Sequence, residues 1–559
     1  APKFAAALSD FGSLYGDPDY IANLTFERFE DAPSRGGEPA RYAVLSWPEQ
    51  AVDPTLFTRQ TSVLYTGVGV EHGYGYISEL DYDGRELKMR WLARHEQAGG
   101  LPGVVTIDDY VGPHEKPGVL FHLAEQVLNP SPSDPPSEVS LALLGRDRPR
   151  FTRGHEPSGG LFSDDLDATL EWVGHLDRSY VAIQGPPGTG KTYSGAHIIH
   201  RLIGEGKRVG ITAMSHAAID NLLQATYEVF AEHGDVASLR TLRQGPRPRG
   251  GGIEGVRYNP PRPEFESNDF NLVAGTTWLW SRAGLRAYPV DVLIVDEAGQ
   301  LALADAVAAA NGAKSLILLG DPLQLAQVAK AEHPDGSGAS VLEHVLGEHV
   351  TIPPSQGVFI SETRRMHPDV CSFISNQIYE GRLTSHDSCA QQSTEFGTGL
   401  RWLRAEHTER STESIEESAM VVNQIRSMLG TAWTNQAGES SPLTTDDFMV
   451  VAPYNDQVDL LRREFDRTAD LGGVRVGTVD KFQGREAPVV FFTMTTSSGP
   501  DMPRGPEFLF SRNRLNVAVS RARCLAYLVC TEELLNSRAR TLEEMHLIGT
   551  LSSFVEHAR

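Results

Sequence analysis

Residues 185 to 192, GPPGTGKT, have the composition and spacing to hold phosphate. Gly185, Gly190, Lys191 and Thr192 satisfy the pattern GxxxxGK[ST], and the apolar run YVAI with Gln184 supplies the buried strand that such a loop must follow. The turn from Gly185 through Pro186, Pro187, Gly188 and Thr189 to Gly190 would turn backbone N–H groups toward a phosphate chain. The N-terminus of a helix expected to begin near Lys191 would aid it. Lys191 would reach the β and γ phosphates, and the Thr192 hydroxyl would bind Mg²⁺. Further on, VLIVDEAGQ ends an apolar strand on two acids. Asp296 could hold the metal ion, and Glu297 could take the proton of an attacking water. Together these elements indicate hydrolysis of a nucleotide, expected to be ATP, and leave open what it drives.

Those residues need a scaffold. From about residue 170, short apolar strands (YVAIQ, RVGITA, LVAGTT, DVLIVDE, SLILLGD) alternate with amphipathic segments, the pattern of a parallel sheet covered by helices. A second such set (GLRWLRA, DFMVVAPY, VRVGTVD, PVVFFTM, CLAYLVC) follows from about 355, so two similar α/β domains facing a cleft are expected. Residues 20 to 110 alternate apolar and polar in short runs broken by Gly, Pro, Asp and Asn, which predicts antiparallel strands with DYDG as a hairpin turn and a small β-barrel as the result. The boundaries expected are an accessory domain over 1–128 with GVLFHLAEQVL as its helix, a linker over 129–150, and the two α/β domains over 151–352 and 353–559. Within the first, Arg240 to Pro263 carries six arginines and a single acid, Glu254. It reads as a flexible basic insertion over about 235–268, either a nucleic-acid contact or a solvated loop.

A chain of 559 residues, 40% of them hydrophobic, can bury several cores. The net charge of −23 weighs against a polyanionic partner, yet one basic groove on an acidic surface is enough to bind one. Cys371, Cys389, Cys524 and Cys530 form no CxxC pair and read as reduced thiols. No apolar run approaches the roughly 18 residues that a membrane helix needs, and no leader is evident. A cytoplasmic protein with no membrane partner is expected. The first residue, Ala1, suggests a piece of a longer chain.

What the hydrolysis drives is read from a series of motifs. After GPPGTGKT come TAMSHAAIDNLL, VAGTT, VDEAGQ, LLGDPLQL, TRRMHP, VAPYNDQ, VGTVDKFQGREAPVV and LNVAVSRAR, in that order over about residues 180 to 530. The series resembles superfamily 1 helicases of the Upf1-like branch, 1B. RVGITAMSHAAIDNLL, YEGRL and PRGPEFLFSRNRLNVAVSRAR are similar to the helicase portion of bacterial proteins in which a RecB-like nuclease precedes an Upf1-type motor. The resemblance implies two tandem RecA-like P-loop domains with an N-terminal β-barrel, and 5′ to 3′ movement on single-stranded nucleic acid, DNA more than RNA. It also implies an upstream nuclease domain in the full-length protein.

The same resemblance assigns roles. Gln324 would sense the γ-phosphate. Arg365 and Arg521 would enter from the second domain as arginine fingers, placing positive charge where the transition state spreads negative charge. Glu486 would meet the ribose. Ser215, His216, Thr276 and Thr277 in the first domain, and Tyr454 and Thr478 in the second, follow strands and would hold a strand by its phosphates, although Ser or Thr in such places also caps helices.

The chain departs from the pattern in two places. The stretch SDDLDATLEWVGHLDRSY lacks the Gln with which relatives read adenine, and Arg364 stands where the nonsense-mediated-decay helicase of that branch has Tyr, so adenine would be held by a stacked guanidinium. A second reading is an ATPase that clamps strands or remodels RNA or protein–nucleic-acid complexes without unwinding. A third, a nuclease built on Asp81, Asp83, Glu86 and Lys88, places its acids in one tight hairpin, too close for separate strands.

Overall fold

The computed structural model describes residues 20–558 except 36–37, 51, 53–56, 58–60, 68–69, 83, 93–94, 96–99, 108–111, 113, 249–250, 326–332, 334–335, 469 and 483. By contacts the chain divides after Pro113.

The N-terminal unit holds β1 (Tyr20–Ile21), β2 (Thr25–Arg35), β3 (Glu38–Ser46), β4 (Ser62–Gly67), β5 (Val70–Asp81), β6 (Glu86–Leu92) and β7 (Val104–Ile107). They form one antiparallel sheet in the order β1-β7-β4-β5-β6-β3-β2. The long β5 pairs with β4 through its first half and with β6 through its second, with a register shift between Ile77 and Glu79. Alternate residues of β6 (Leu87, Met89, Trp91) point into a core shared with Tyr65, Ile77 and Phe57, the period of two that a one-sided sheet requires. The antiparallel sheet expected for this region is thus present among the described residues, with seven strands.

The hairpin between β5 and β6 settles the geometry behind the nuclease reading. Asp81 and Glu86 stand opposite each other in register, and the Asp81 carboxylate accepts the Gly84 N–H at 3.0 Å. Glu86 is paired with Arg28 at 3.1 Å, and Lys88 with Glu30 at 2.8 Å and Glu79 at 3.3 Å. Asp83 lies outside the described residues. These are cross-strand ion pairs on a sheet face.

From His114 onward the chain forms the second unit. Helices α1 (Lys116–Leu128) and α2 (Glu138–Gly145) come first, and Leu123, Val139, Ala142 and Leu143 join the core of the following sheet. Lys116 is anchored there by Asp305 at 2.9 Å and by the Trp278 ring at 3.8 Å. Residues 138–145, expected within a linker, are helical because Ser137 caps them, its hydroxyl accepting from the Ser140 N–H, and because EVSLALLG offers apolar residues to bury.

The first α/β sheet has eight parallel strands: β8 (Tyr180–Gln184), β9 (Val209–Thr212), β10 (Thr241–Arg243), β11 (Val256–Tyr258), β12 (Leu272–Ala274), β13 (Val290–Val295), β14 (Ala313–Gly320) and β15 (Gly357–Phe359), ordered β11-β10-β12-β9-β13-β14-β8-β15. Helices α3 (Lys191–Gly204) and α4 (His216–His233) cover it. Every residue of β8 and β9 is buried, each Val or Ile contributing about 1.5–3 kcal/mol by leaving water. β15 lies beyond residue 352, so the first sheet runs past the expected boundary.

The segment expected as a flexible basic insertion is instead the edge of this sheet, supplying β10 and β11. Arg243 is fully buried, with its guanidinium bonded to Asp220 at 2.9 Å and to His216 Nδ1 at 3.0 Å. Truncating one partner of a buried ion pair leaves the other uncompensated. Arg243→Ala is therefore expected to lower the unfolding free energy by about 3 kcal/mol or more, read from denaturant unfolding.

The second sheet is again parallel: β16 (Gly399–Ala405), β17 (Phe448–Ala452), β18 (Arg475–Thr478), β19 (Ala487–Thr493) and β20 (Ala522–Thr531), in the order β16-β20-β19-β17-β18. Helices α5 (Pro368–Ile378) and α6 (Arg512–Ser520) pack against each other beside it. All four cysteines are buried and unpaired by disulfide. No helix among the described residues is long and apolar enough to cross a membrane.

Candidate nucleotide site between two P-loop domains

Gly185 to Gly190 link the end of β8 to Lys191, the first residue of α3. Gly188 and Gly190 have φ of 77° and 81°, the left-handed region that Gly enters without strain. Gly188 is doubly constrained, because a Cβ there would lie 2.5 Å from both Arg365 Cβ and Thr363 Oγ1. The Thr189 hydroxyl bonds the Pro186 carbonyl at 2.8 Å, and Lys191 Nζ donates to the Gly185 carbonyl at 2.6 Å. Thr192 follows in the first turn of α3.

Asp296 and Glu297 follow β13 immediately. The Asp296 carboxylate is buried and accepts the Glu297 N–H at 2.9 Å. Burial, with the Glu297 carboxylate adding to it, pushes the Asp296 carboxyl up to about 7, and Lys191 pulls the other way. Glu297 has φ of 52°, a left-handed conformation that side-chain-bearing residues adopt at a cost and that recurs at functional sites. A divalent cation would relieve the burial of Asp296, so the acid fits Mg²⁺ coordination in company with the Thr192 hydroxyl. No group of three or more His, Cys, Asp or Glu that could hold a metal lies among the described residues.

The segment after β15 closes on this loop. The Thr363 hydroxyl donates to the Pro187 carbonyl at 2.9 Å, and the Arg364 N–H to the Gly188 carbonyl at 2.9 Å. Arg365 pairs through Nε with Glu486 at 2.6 Å and donates to the Ser520 carbonyl at 3.2 Å. Arg521, just past α6, is 3% exposed, bonds the Arg485 carbonyl at 3.2 Å, and leaves its Nε without a partner. Burial and the nearby Arg365 cation pull its pKa down to about 9, against the raising effect of Glu297 and Glu486. A guanidinium this buried without a bonded carboxylate is costly, and a phosphate would supply the anion.

Other expected positions have different surroundings. Glu486 is engaged by Arg365 and lies 3.8 Å from Arg523, so a ribose would share it with these arginines. Arg364 has an exposed side chain, 3.4 Å from Glu362. Gln324 donates to Asp321 Oδ2 at 2.9 Å. The same carboxylate oxygen accepts the hydroxyl of buried Tyr379 at 2.6 Å, and Asn516 of α6 reaches both Tyr379 at 2.8 Å and the Leu323 carbonyl at 2.7 Å. Asp321, Tyr379 and Asn516 were not singled out by the motifs. Asp321 sits inside GDPLQL, Tyr379 opens YEGRL and Asn516 lies in LNVAVSRAR, and only the fold shows that the three are linked through the Tyr379 hydroxyl.

Of the positions expected to meet a strand, Ser215 and His216 are exposed at the end of β9, though the Ser215 hydroxyl caps α4 by accepting from Ala218 at 3.1 Å. Thr276 hydrogen-bonds Gln244 at 3.2 Å, and Thr277 is 2% exposed, so its hydroxyl is not on the surface. Thr478 is half-buried at the end of β18, and Tyr454 is largely buried after β17.

Known proteins agree with this architecture. AAA domain families match residues 168–335 and 338–533, one for each α/β domain. The chain is 29% identical over 267 residues to helicase sen1 of Schizosaccharomyces pombe, covering 44% of this chain and 15% of that protein. It is 27% identical over 486 residues to DNA-binding protein SMUBP-2 of Mus musculus, covering 73% and 46%. It is 24% identical over 455 residues to the DNA replication ATP-dependent helicase/nuclease DNA2 of Saccharomyces cerevisiae, covering 72% and 28%. The chain thus carries two AAA domains and is similar over these stretches to proteins named as helicases or DNA-binding proteins. The chain spans less than half the length of each of these relatives. The P-loop and the DEAG turn belong to the first α/β domain, Arg365 follows the last strand of its sheet, and Arg521 follows α6 beside the second sheet.

Proposed function

We propose that the chain is a motor that couples ATP hydrolysis to movement along single-stranded nucleic acid, preferring DNA to RNA and running 5′ to 3′. The observation that carries this reading is the docking of the Thr363–Arg365 segment on the phosphate loop, with Arg365 bonded in turn to the Ser520 carbonyl next to Arg521 of the second domain. A site completed by residues of two domains is completed or broken as they move, which is how hydrolysis drives displacement. Lys191 would hold the terminal phosphates, Glu297 would orient and deprotonate the attacking water, and the two arginines would balance the charge of the transferring phosphoryl group. Thr192 and Asp296 would hold Mg²⁺, which bridges phosphate oxygens and neutralises their charge. Gln324, through Asp321, Tyr379 and Asn516, would pass the state of the phosphate site to the second sheet.

DNA is favoured because two of the relatives are named for DNA binding or DNA replication. The polarity, and an upstream nuclease domain as partner, rest on the motif resemblance alone. Unwinding assays on duplexes with 5′ or 3′ overhangs, in DNA and in RNA, test the reading. Unwinding from a 5′ DNA overhang is expected. Unwinding from a 3′ overhang alone would reverse the polarity, and strand-stimulated hydrolysis with no unwinding of any duplex would favour a clamp or remodelling ATPase.

A further inference from the structure

The outward face of the N-terminal sheet carries aromatic rings where the solvated side of an antiparallel sheet is ordinarily polar. In β5 the run GYGYI alternates small and large residues. Gly73 and Gly75 face the core, where a Cβ on the first would strike the Tyr65 ring and one on the second the Met89 sulfur. Tyr74 and Tyr76 therefore stand on the outer face, 52% and 37% exposed. Exposed Phe29 of the same unit is engaged by Phe26 at 4.8 Å and Arg41 at 4.2 Å, and exposed Tyr82 by Trp47 at 6.4 Å. Among the described residues, no ring or cation packs on Tyr74 or Tyr76.

The neighbours of these two rings include one uncompensated cation. Ile77 and Met89 pair across β5 and β6 and both belong to the core, so Tyr76 and Arg90, the next residues along, share the outer face. Arg90 is opposite Tyr42 of β3, while Ser62 and Leu64 of β4 are opposite Tyr76 and Tyr74. Elsewhere on this face the charges cancel, Lys88 against Glu30 and Glu79, and Arg28 against Glu86. Arg90 has no carboxylate partner among the described residues and donates to the Pro33 carbonyl at 3.0 Å.

Residues i and i+2 of a β-strand stand about 6.8 Å apart, at about 3.4 Å per residue. This is roughly twice the 3.4 Å step between nucleotides of one strand in a duplex. Successive bases can lie on the two rings only when they are splayed apart, as a single strand allows and a duplex does not. Every base has a π-face, so such stacking reads no sequence, and the lone Arg90 charge complements a phosphate. We propose that Tyr74 and Tyr76, with Arg90 on the same face, form a base-stacking platform for single-stranded nucleic acid on the N-terminal sheet. The inference rests on the reading of the chain as a strand-dependent motor, and it gives the N-terminal unit a part in holding the nucleic acid that none of the helicase motifs assigns.

The test measures binding of the full chain to a labelled oligodeoxythymidylate across a salt series, with an abasic strand of the same length as the comparison. Tyr74→Thr and Tyr76→Thr keep a residue that favours β-strand and remove the ring. Each is expected to weaken binding to the oligodeoxythymidylate about tenfold, with the salt slope and the melting temperature unchanged, because stacking releases no counterions. Tyr76→Phe should bind as wild type does. On the abasic strand the wild type and both Thr variants should bind alike. Arg90→Gln should show the complementary signature, a salt slope lower by about 0.7 on both strands; an unchanged slope would remove Arg90 from the platform. Photocrosslinking of a 5-iododeoxyuridine strand to wild-type protein, which needs no substitution, should place adducts on Tyr74 or Tyr76. Adducts confined to the α/β domains would overturn the platform. So would a double Thr variant that keeps full affinity, which would leave this face to a protein partner, or one that loses as much on the abasic strand. In each of those cases the motor reading stands if strands still stimulate ATP hydrolysis. If wild-type protein neither binds strands nor is stimulated by them, both readings fall.

Discussion

Arg521→Ala is expected to slow strand-stimulated ATP hydrolysis by about three orders of magnitude while nucleotide binding persists. The loss should appear in kcat, since the guanidinium is held where charge develops and not where the base or ribose is recognised. Its environment makes the effect large: it is 3% exposed, has no bonded carboxylate among the described residues, and its charged form is already disfavoured enough to bring the pKa down to about 9. An anion entering this pocket meets a cation that little else neutralises. Arg521→Lys should recover little, because an ammonium lacks the planar fork and is more strongly hydrated. Arg365→Ala should give a similar loss with a different accompaniment. It frees Glu486 from the 2.6 Å pair and leaves Arg523, 3.8 Å away, as its remaining cation. Steady-state hydrolysis with saturating strand, alongside direct nucleotide-binding titration, checks both. Unchanged kcat in either variant would remove that residue from the transition state.

Glu297→Gln should reduce hydrolysis roughly 10²- to 10⁴-fold, since the amide cannot accept the proton of water. The adjoining Asp296 then sets the pH dependence. Its carboxyl sits at about 7 instead of the ordinary 3.8, so below neutrality it takes up a proton and ceases to bind a cation. Hydrolysis should fall on the acid side of about pH 7, and added Mg²⁺ should move that limb to lower pH, because cation and proton compete for one carboxylate. The linkage to stability has the opposite sense. Between 3.8 and about 7 the folded state holds this proton more tightly than the unfolded chain, so the group favours folding at low pH and that contribution is lost as pH rises through about 7. Asp296→Asn is therefore expected to raise the melting temperature at pH 8 while abolishing hydrolysis. A variant both inactive and less stable at that pH would show that burial of the carboxylate is not the dominant cost.

The parts of the site legible in the sequence are those encoded within a few residues. GPPGTGKT and VDEAG each carry a strand, a turn and the chemistry in one short run, and their positions at the ends of β8 and β13 follow from that. The sheet edge was not legible. TLR and VRY are three-residue strands amid Gly, Pro and Arg, a composition that reads as a loop, and they pair only because β12 offers an edge. Nor could burial of Arg243 be foreseen, since its carboxylate partner lies on α4. Helix α2 was hidden by the Pro- and Ser-rich stretch before it, where Ser137 proves to be its cap. The Asp321–Tyr379–Asn516 network illustrates a general limit. Each residue lies in a different motif that says nothing of the others, and the bonds exist only once two sheets are assembled.

The burial of all four cysteines has a practical side. Cys371, Cys389, Cys524 and Cys530 sit in apolar surroundings that push their thiols up, to about 11 for Cys371 and about 12 for Cys524. Thiolates are then scarce near neutral pH, and alkylating dyes find nothing to attack on the native surface. The chain is in effect already a cysteine-silent background. One cysteine introduced at exposed Tyr193 and another at exposed Arg467 would carry a fluorophore pair, one on each P-loop domain, and their energy transfer would follow any relative movement of the two domains without removing a native residue from the core.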